Sequence, residues 1–177
     1  MKIRFLVLLS VLMLPGLVYA HGPSRQKVAV ERVVNVSPEE AWAVVGDFAA
    51  LDKWLPPVEK CEIISGTPTE EGAVRKLTVG GKYLEETLKS LDPDTFQLKY
   101  RITEGDTSIL PVSNYSATIS VKDDGNGGSV VSWKGAFYRG YPNNDPPPEL
   151  NDKAAIEAVE GLYNLGLDNL KAMLESH

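Results

Sequence analysis

The sequence predicts an α+β domain in which a strongly curved antiparallel sheet of about seven strands grips one long C-terminal helix, with two short helices inserted after the first strand. Three observations carry this. Six strand-like runs follow one another from Val58 to Tyr138 with short turn sequences between them. A helix-start signature, Ser37-Pro38-Glu39-Glu40, interrupts the strand pattern early. The longest segment of helical period lies last, from Ile156 to Leu174, where one apolar face needs a sheet to cover it.

The first twenty residues read as an address and not as structure. Lys2 and Arg4 form a basic start, Phe5 to Leu14 is an apolar run too short to span a bilayer, and Val18-Tyr19-Ala20 supplies the small residues a signal peptidase reads. Residues 1–20 are therefore expected to be a cleaved signal peptide directing the protein to the periplasm, and residues 21–177 a single domain with no membrane association of its own.

Strand one follows. Val28, Val30, Val34 and Val36 share one parity with Arg32 among them, the period of a half-buried strand over about Lys27 to Val36. Ser37 then caps a short helix, with Pro38 at its first position and Glu40 completing the capping box. Trp42, Val45 and Phe48 continue at spacing three, Gly46-Asp47 breaks the run, and a second short helix reaches Trp54-Leu55, where Pro56-Pro57 stop it. The strands then run Val58 to Ser65, Ala73 to Val79, Tyr83 to Leu91, Thr95 to Thr103, Tyr115 to Lys122 and Ser129 to Tyr138. Connections such as Gly80-Gly81 and Asp92-Pro93-Asp94 are hairpin chemistry. Alternation is clearest in Phe96, Leu98, Tyr100 and Ile102, which predicts one face on a core or cavity and one in water. Gly161 and Gly166 interrupt the last helix at a cost of about 1 kcal/mol each relative to alanine. They imply close packing on the sheet, space for a ligand, or plain tolerance.

Composition narrows the function. With Lys2 and Arg4 in the leader, 16 basic residues face 24 acidic ones in the remainder, and no run of Lys or Arg occurs. Such a chain is a poor binder of nucleic acid or anionic membrane; a basic partner or a neutral ligand suits it better. The two histidines are His21 and His177, at the ends of the mature chain, so neither is held for acid–base or metal chemistry. No metal and no cofactor is expected. Cys61, the lone cysteine, has no histidine near it in sequence and reads as a small buried apolar side chain, with an intermolecular disulfide as the alternative. Glu85 and Glu86 point to opposite faces of their strand, so at most one enters the interior. If that is Glu86, it is a desolvated proton carrier, a solvated glutamate, or half of a buried salt bridge to Arg75 or Lys76.

The aromatic residues Tyr83, Phe96, Tyr100, Tyr115, Trp133 and Phe137 lie on strands, and Trp54 lies beside the sheet opening. They either line an apolar pocket or fill the core. The ligand-binding candidates are Trp54, Leu77, Glu86, Tyr100, Tyr115, Trp133, Phe137 and Leu162. Phe48, Leu55, Leu110 and Pro147 are candidates for a rim that meets a partner.

The stretches SPEEAWAVVGDFAALDKWLP, GAVRKLTVGGKYLEETLKSLDPDTFQLKYRI and LPVSNYSATISV, in this order and spacing, resemble the START-like, Bet v-type helix-grip superfamily, in its polyketide cyclase or dehydrase-like (SRPBCC) branch. The resemblance runs from about Lys27 to Leu174. Within that branch the exported start HGPSRQKV is similar to the MxaD-type periplasmic proteins encoded with methanol dehydrogenase. That resemblance implies a non-enzymatic accessory protein that assists electron transfer from methanol dehydrogenase to its cytochrome c, with a hydrophobic ligand in the cavity. Relatives commonly carry a histidine after the tryptophan where this chain has Leu55, so no polar role transfers to that position. The rival readings are a periplasmic carrier of a lipid or aromatic small molecule, and a cyclase or dehydratase using Glu86 with Tyr100 or Tyr115; the preferred assignment has no catalytic residue.

Overall fold

The computed structural model describes residues 22–176. The expected signal peptide and both histidines, His21 and His177, lie outside the described residues.

Seven strands form one antiparallel sheet: β1 (Gln26–Val34), β2 (Lys60–Ser65), β3 (Val74–Val79), β4 (Lys82–Asp92), β5 (Gln97–Gly105), β6 (Val112–Asp123) and β7 (Ser129–Arg139). Their order across the sheet is β1-β7-β6-β5-β4-β3-β2. Every neighbour after β2 is also the next strand in sequence, so short turns suffice; only β1 pairs at long range, antiparallel to β7 with Val30 opposite Trp133. Gly80 and Gly81, with φ of +56° and +73°, make the tight turn between β3 and β4. The register slips in β4 opposite β5 and again in β6 at Ser113–Ser116, where Asn114 takes φ +47°. Such bulges sharpen the local bend, which is how an open sheet curves far enough to hold a helix.

Between β1 and β2 the chain forms α1 (Pro38–Val45), capped as its sequence requires: the Ser37 hydroxyl accepts from the Glu40 amide and the Glu40 carboxylate accepts from the Ser37 amide at 3.0 Å. The second helix expected here is only a single 3-10 turn, Leu51–Lys53. Asp47 explains the shortening: its carboxylate accepts from the Ala49 amide, an Asx turn that spends residues a helix would need before Pro56-Pro57 close the segment.

The C-terminal helix α2 (Asp152–Leu174) runs 23 residues and is capped by the Asn151 side chain, which accepts from the Ala154 amide. It begins a turn earlier than the apolar period implied. α2 packs chiefly on β1 and β7, burying Ala155, Val159, Tyr163, Gly166, Leu167 and Leu170. Arg32 of β1 fastens it from outside, with Nε donating to Asp168 at 2.6 Å and Nη2 to Asn164 at 2.7 Å. Gly166 is the point of closest approach: a Cβ there would come within 2.8 Å of Leu55, 3.0 Å of Trp133 and 3.2 Å of Trp54. At Gly161, one and a half turns earlier, a Cβ would meet nothing within 4 Å. The two glycines thus do different jobs, the first admitting the sheet and the second facing open space. Because α2 packs chiefly on the β1–β7 side, a space remains between it and the inner faces of β3, β4 and β5.

Candidate functional site

That space is a cavity of about 280 Å³. Leu77 and Val79 of β3, Leu84 and Glu86 of β4, Tyr100 and Ile102 of β5, Tyr115 of β6 and Trp133 of β7 form the sheet side. Leu51, Leu55, Pro57 and Val58 close one flank, Ile109 and Leu110 another, and Ala158, Gly161, Leu162 and Leu165 of α2 form the roof. Leu165 is 47% exposed and Gly161 is exposed as well, so the roof residues of α2 mark the mouth.

Six of the eight expected cavity residues are brought together here: Leu77, Glu86, Tyr100, Tyr115, Trp133 and Leu162. Trp54 and Phe137 are not on the wall. Both are buried behind it, Trp54 edge-on to Trp133 at 5.3 Å between centroids and Phe137 stacked on Tyr115 at 6.2 Å. They support wall residues and do not touch the space. Tyr83, included among the strand aromatics, lies on the outer face, 41% exposed, with its hydroxyl donating to Glu104 and the Lys76 ammonium 4.2 Å from its ring. Phe96 sits at the β4–β5 turn and stacks on Trp42.

The expected partner rim does not exist as a surface. Phe48, Leu55 and Leu110 are 1%, 3% and 7% exposed. Phe48 is turned inward to cover Arg75, and Leu55 and Leu110 are cavity wall, because the loops that carry them fold over the open side of the sheet and bury their apolar residues there. Pro147 stays half-buried at the surface, at the start of the 3-10 turn Pro148–Leu150.

The polar floor of the cavity is built on one ion pair. Arg75 and Glu86 face each other across β3 and β4. Arg75 Nε donates to Glu86 Oε2 at 2.7 Å and Nη2 lies 2.6 Å from the same oxygen. Arg75 Nη1 donates to the Phe48 carbonyl at 2.9 Å, and the guanidinium is sandwiched between the Phe48 ring at 4.3 Å and the Tyr100 ring at 4.9 Å. Of the three readings of Glu86, the buried salt bridge to Arg75 is what forms. Burial pushes the Glu86 carboxyl above its ordinary range, with Arg75 pulling the other way. Burial works against the Arg75 charge, but the Glu86 carboxylate outweighs it and holds the pKa up. The sequence offered Arg75 and Lys76 alike as the partner of Glu86; strand register decides between them, since Arg75 stands directly opposite Glu86 while Lys76 stands opposite Glu85.

The remaining polar atoms belong to tyrosines and a tryptophan. Trp133 Nε1 donates to Tyr100 Oη at 3.0 Å, and the Tyr115 and Tyr163 hydroxyls are 2.5 Å apart. Burial raises the pKa of all three phenols, so they stay neutral at any pH near seven. Trp133 and Tyr163 stack at 4.2 Å between centroids, which ties the wall to α2. Cys61 is half-buried on β2 with Sγ 3.8 Å from the Phe48 carbonyl oxygen, and burial raises its thiol pKa.

Chemically, the site is an apolar chamber with one polar end whose charge is internally balanced. It can enclose a small apolar molecule and offer it a carboxylate oxygen and a phenol.

Residues 25–175 match the family model described as polyketide cyclase / dehydrase and lipid transport. Among solved structures, XoxI from Bacillus cereus is 27% identical, with a TM-score of 0.68 over 85% of this chain and 95% of its own. A protein from Thermobifida fusca is 25% identical, with a TM-score of 0.66 over 85% and 95%. At 20% identity, Ara h 8.0201 shares the fold alone, with a TM-score of 0.65 over 87% of this chain and all of its own. The curved sheet with a long helix packed on it is the fold shared with these neighbours, and with residues 25–175 matched by the family model, this chain belongs to the polyketide cyclase / dehydrase and lipid transport family.

Proposed function

We propose that this protein is a non-enzymatic binding protein that encloses a small apolar molecule between sheet and helix. The observation that carries the reading is the state of Glu86, the one ionisable carboxyl on the cavity wall. It is already committed to a buried arginine through Oε2, and its cavity neighbours Tyr100 and Tyr115 are phenols whose pKa is raised by burial. A general acid–base mechanism works best with a group titrating near the operating pH, and neither phenol is such a group. This argues against the cyclase or dehydratase reading, in which Glu86 would act with Tyr100 or Tyr115. Native mass spectrometry of the purified protein tests the proposal: the expected result is a low-mass apolar molecule released on denaturation, or uptake of an apolar dye by the emptied protein. A bare mass together with no dye uptake would overturn it.

The setting is proposed from the resemblance of the chain to MxaD-type proteins: a periplasmic accessory of methanol oxidation that assists the contact of methanol dehydrogenase with cytochrome c. A surface suited to protein contact supports this reading. Lys27, Lys89, Lys99 and Lys134, from four different strands, surround a shallow groove on the outer face of the sheet. Glu71 and Glu31 pair with Lys89 and Lys134, leaving a basic face on an acidic protein. Methanol-dependent reduction of cytochrome c, measured with and without the protein across a salt range, checks it. Stimulation that weakens with salt is expected; no stimulation at any salt would sink the accessory role.

A further inference from the structure

We infer that the outer face of the sheet is a docking trough for a second protein, and that the element it receives is an acidic helix or loop. The inference rests on the protein-contact reading above and names the face used and the chemistry of what meets it.

Net charge alone points to a basic partner, but the charges are segregated. Arg25, Lys27, Lys89, Lys99, Arg101 and Lys134 gather in one band across the middle of the outer face, all exposed. Of the 16 basic residues from position 21 onward, six are in this band and ten elsewhere; of the 24 acidic ones, only Glu31 and Glu71 reach it and 22 lie elsewhere. Glu31 and Glu71 pair with Lys134 at 3.6 Å and Lys89 at 3.2 Å, exposed pairs too weak to hold the lysines against a better-placed carboxylate. Among the described residues, Arg25, Lys27, Lys99 and Arg101 form no ion pair. The band is therefore a positive island on a negative protein, and it attracts the opposite kind of partner from the one the net charge suggests.

Strand register gives the island a shape. One row across β1, β7, β6 and β5 reads Lys27, Ala136, Ser116, Arg101, and the next reads Ala29, Lys134, Thr118, Lys99. Long basic side chains thus stand on either side of a floor of small ones. Arg25 joins the first row by donating from Nη2 to Ser116 Oγ at 3.3 Å. Lys27 and Arg101 are three strand spacings apart and Lys134 and Lys99 two, so the walls are roughly 10–14 Å apart. One α-helix with its side chains is about 10–12 Å across, so the trough has room for a single helix or loop.

The surroundings argue against a broad anionic surface such as a membrane. Glu85 and Glu104 stand opposite each other on β4 and β5 beyond Arg101, and Asp92 and Asp123 end their strands beyond Lys99. A plane of negative charge would press on these acids as well as on the lysines, whereas one projecting acidic element meets the lysines alone. Docking here also leaves the cavity open. β5 sends Tyr100 and Ile102 to the cavity and Lys99 and Arg101 outward, while the cavity mouth lies at α2 on the other side of the sheet.

The test is fluorescence anisotropy of rhodamine-labelled decaglutamate titrated with the purified protein at low and at physiological salt. Binding that weakens as salt rises is expected, since screening shortens the reach of surface charge to about 8 Å at physiological ionic strength. Lys99→Glu with Arg101→Glu on one wall, and Lys27→Glu with Lys134→Glu on the other, should each weaken binding at least about tenfold. Lys53→Glu with Lys153→Glu makes the same change in net charge away from the trough and should leave the affinity within about threefold of the wild type. No binding by the wild type, or an equal loss in the K53E/K153E protein, overturns the proposal. Phosphatidylglycerol vesicles bound as tightly as the peptide overturn it in favour of a membrane. A salt-sensitive dimer in sedimentation that K99E/R101E abolishes assigns the face to a second copy instead. Uptake of an apolar dye, which none of these residues touches, should be unchanged in every variant and reports that the fold is intact. If one reversed pair fails to fold, the other wall still decides. Where the wild type stimulates methanol-dependent reduction of cytochrome c, K99E/R101E should not, and equal stimulation overturns the assignment of the face. Peptide binding without stimulation by the wild type overturns the methanol setting and leaves the trough standing.

Discussion

Arg75 and Glu86 form an ion pair 2.6 Å long inside the domain, with their side chains only 2% and 6% exposed. A cation and an anion removed from water together are stable only while both remain. Glu86→Gln, which leaves the guanidinium buried without its counter-charge, is expected to cost about 3–5 kcal/mol in urea unfolding. Replacing both residues, as Arg75→Met with Glu86→Leu, should restore most of that loss. A deficit of about 1–3 kcal/mol is expected to remain, because the Phe48 carbonyl then loses its donor. If the double variant is as unstable as the sum of the single ones, the pair is not acting as a unit.

Gly166 and Gly161 should respond in opposite directions to the same substitution. At Gly166 a methyl group meets Leu55, Trp133 and Trp54, and the overpacking of about 1–3 kcal/mol exceeds the gain of about 1 kcal/mol in helix propensity. Gly166→Ala is therefore expected to lower the urea midpoint. At Gly161 only the propensity gain applies, so Gly161→Ala should raise the unfolding free energy by about 1 kcal/mol and the urea midpoint with it.

Tyr100, Tyr115 and Tyr163 have folded-state pKa values above the ordinary phenol value of 10.0. Between that value and the raised ones, the unfolded chain releases protons the folded chain keeps, so stability must fall as pH climbs through this window. Below the ordinary phenol value these three groups contribute no slope. Alkaline titration followed by phenolate absorbance should show them ionising only with unfolding, at the same pH as the loss of circular dichroism. Reversible ionisation of Tyr100, Tyr115 and Tyr163 in the folded protein would contradict the buried cluster.

Cys61 should be slow toward thiol reagents. Burial raises its thiol pKa, and the thiolate is the reactive form. A disulfide exchange reagent is expected to modify it at least about tenfold more slowly than a free thiol at neutral pH, rising to the free rate in denaturant. Equal rates would place the side chain in solvent. A dimer that dissociates on reduction would favour the intermolecular disulfide instead.

Much of the fold was legible locally. The capping box at Ser37–Glu40, the Gly80-Gly81 turn, the alternation through β5 and the period of α2 are each set by residues a few positions apart. That is why the order of the elements along the chain and the gripped helix follow from the sequence to within a few residues. The second helix failed because the Asp47 side chain competes for backbone amides, a local bond that helical spacing does not reveal. On the cavity, aromatic and aliphatic residues of inward parity were found, but Trp54 and Phe137 were assigned to it and belong behind it. Parity says which face a side chain occupies and not what stands in front of it.

The sequence by itself determined the order of the elements, the type of all but the second short helix, and the inward face of strands as regular as β5, because backbone preferences and hydrophobic period act at short range. Only the tertiary structure decided that the loops carrying Phe48, Leu55 and Leu110 fold over the sheet and that α2 packs chiefly on the β1–β7 side. It also decided that Arg75 finds Glu86, and that lysines scattered over four strands meet on one outer face. Each of these depends on the curvature of the sheet, and curvature is a property of all seven strands packed together.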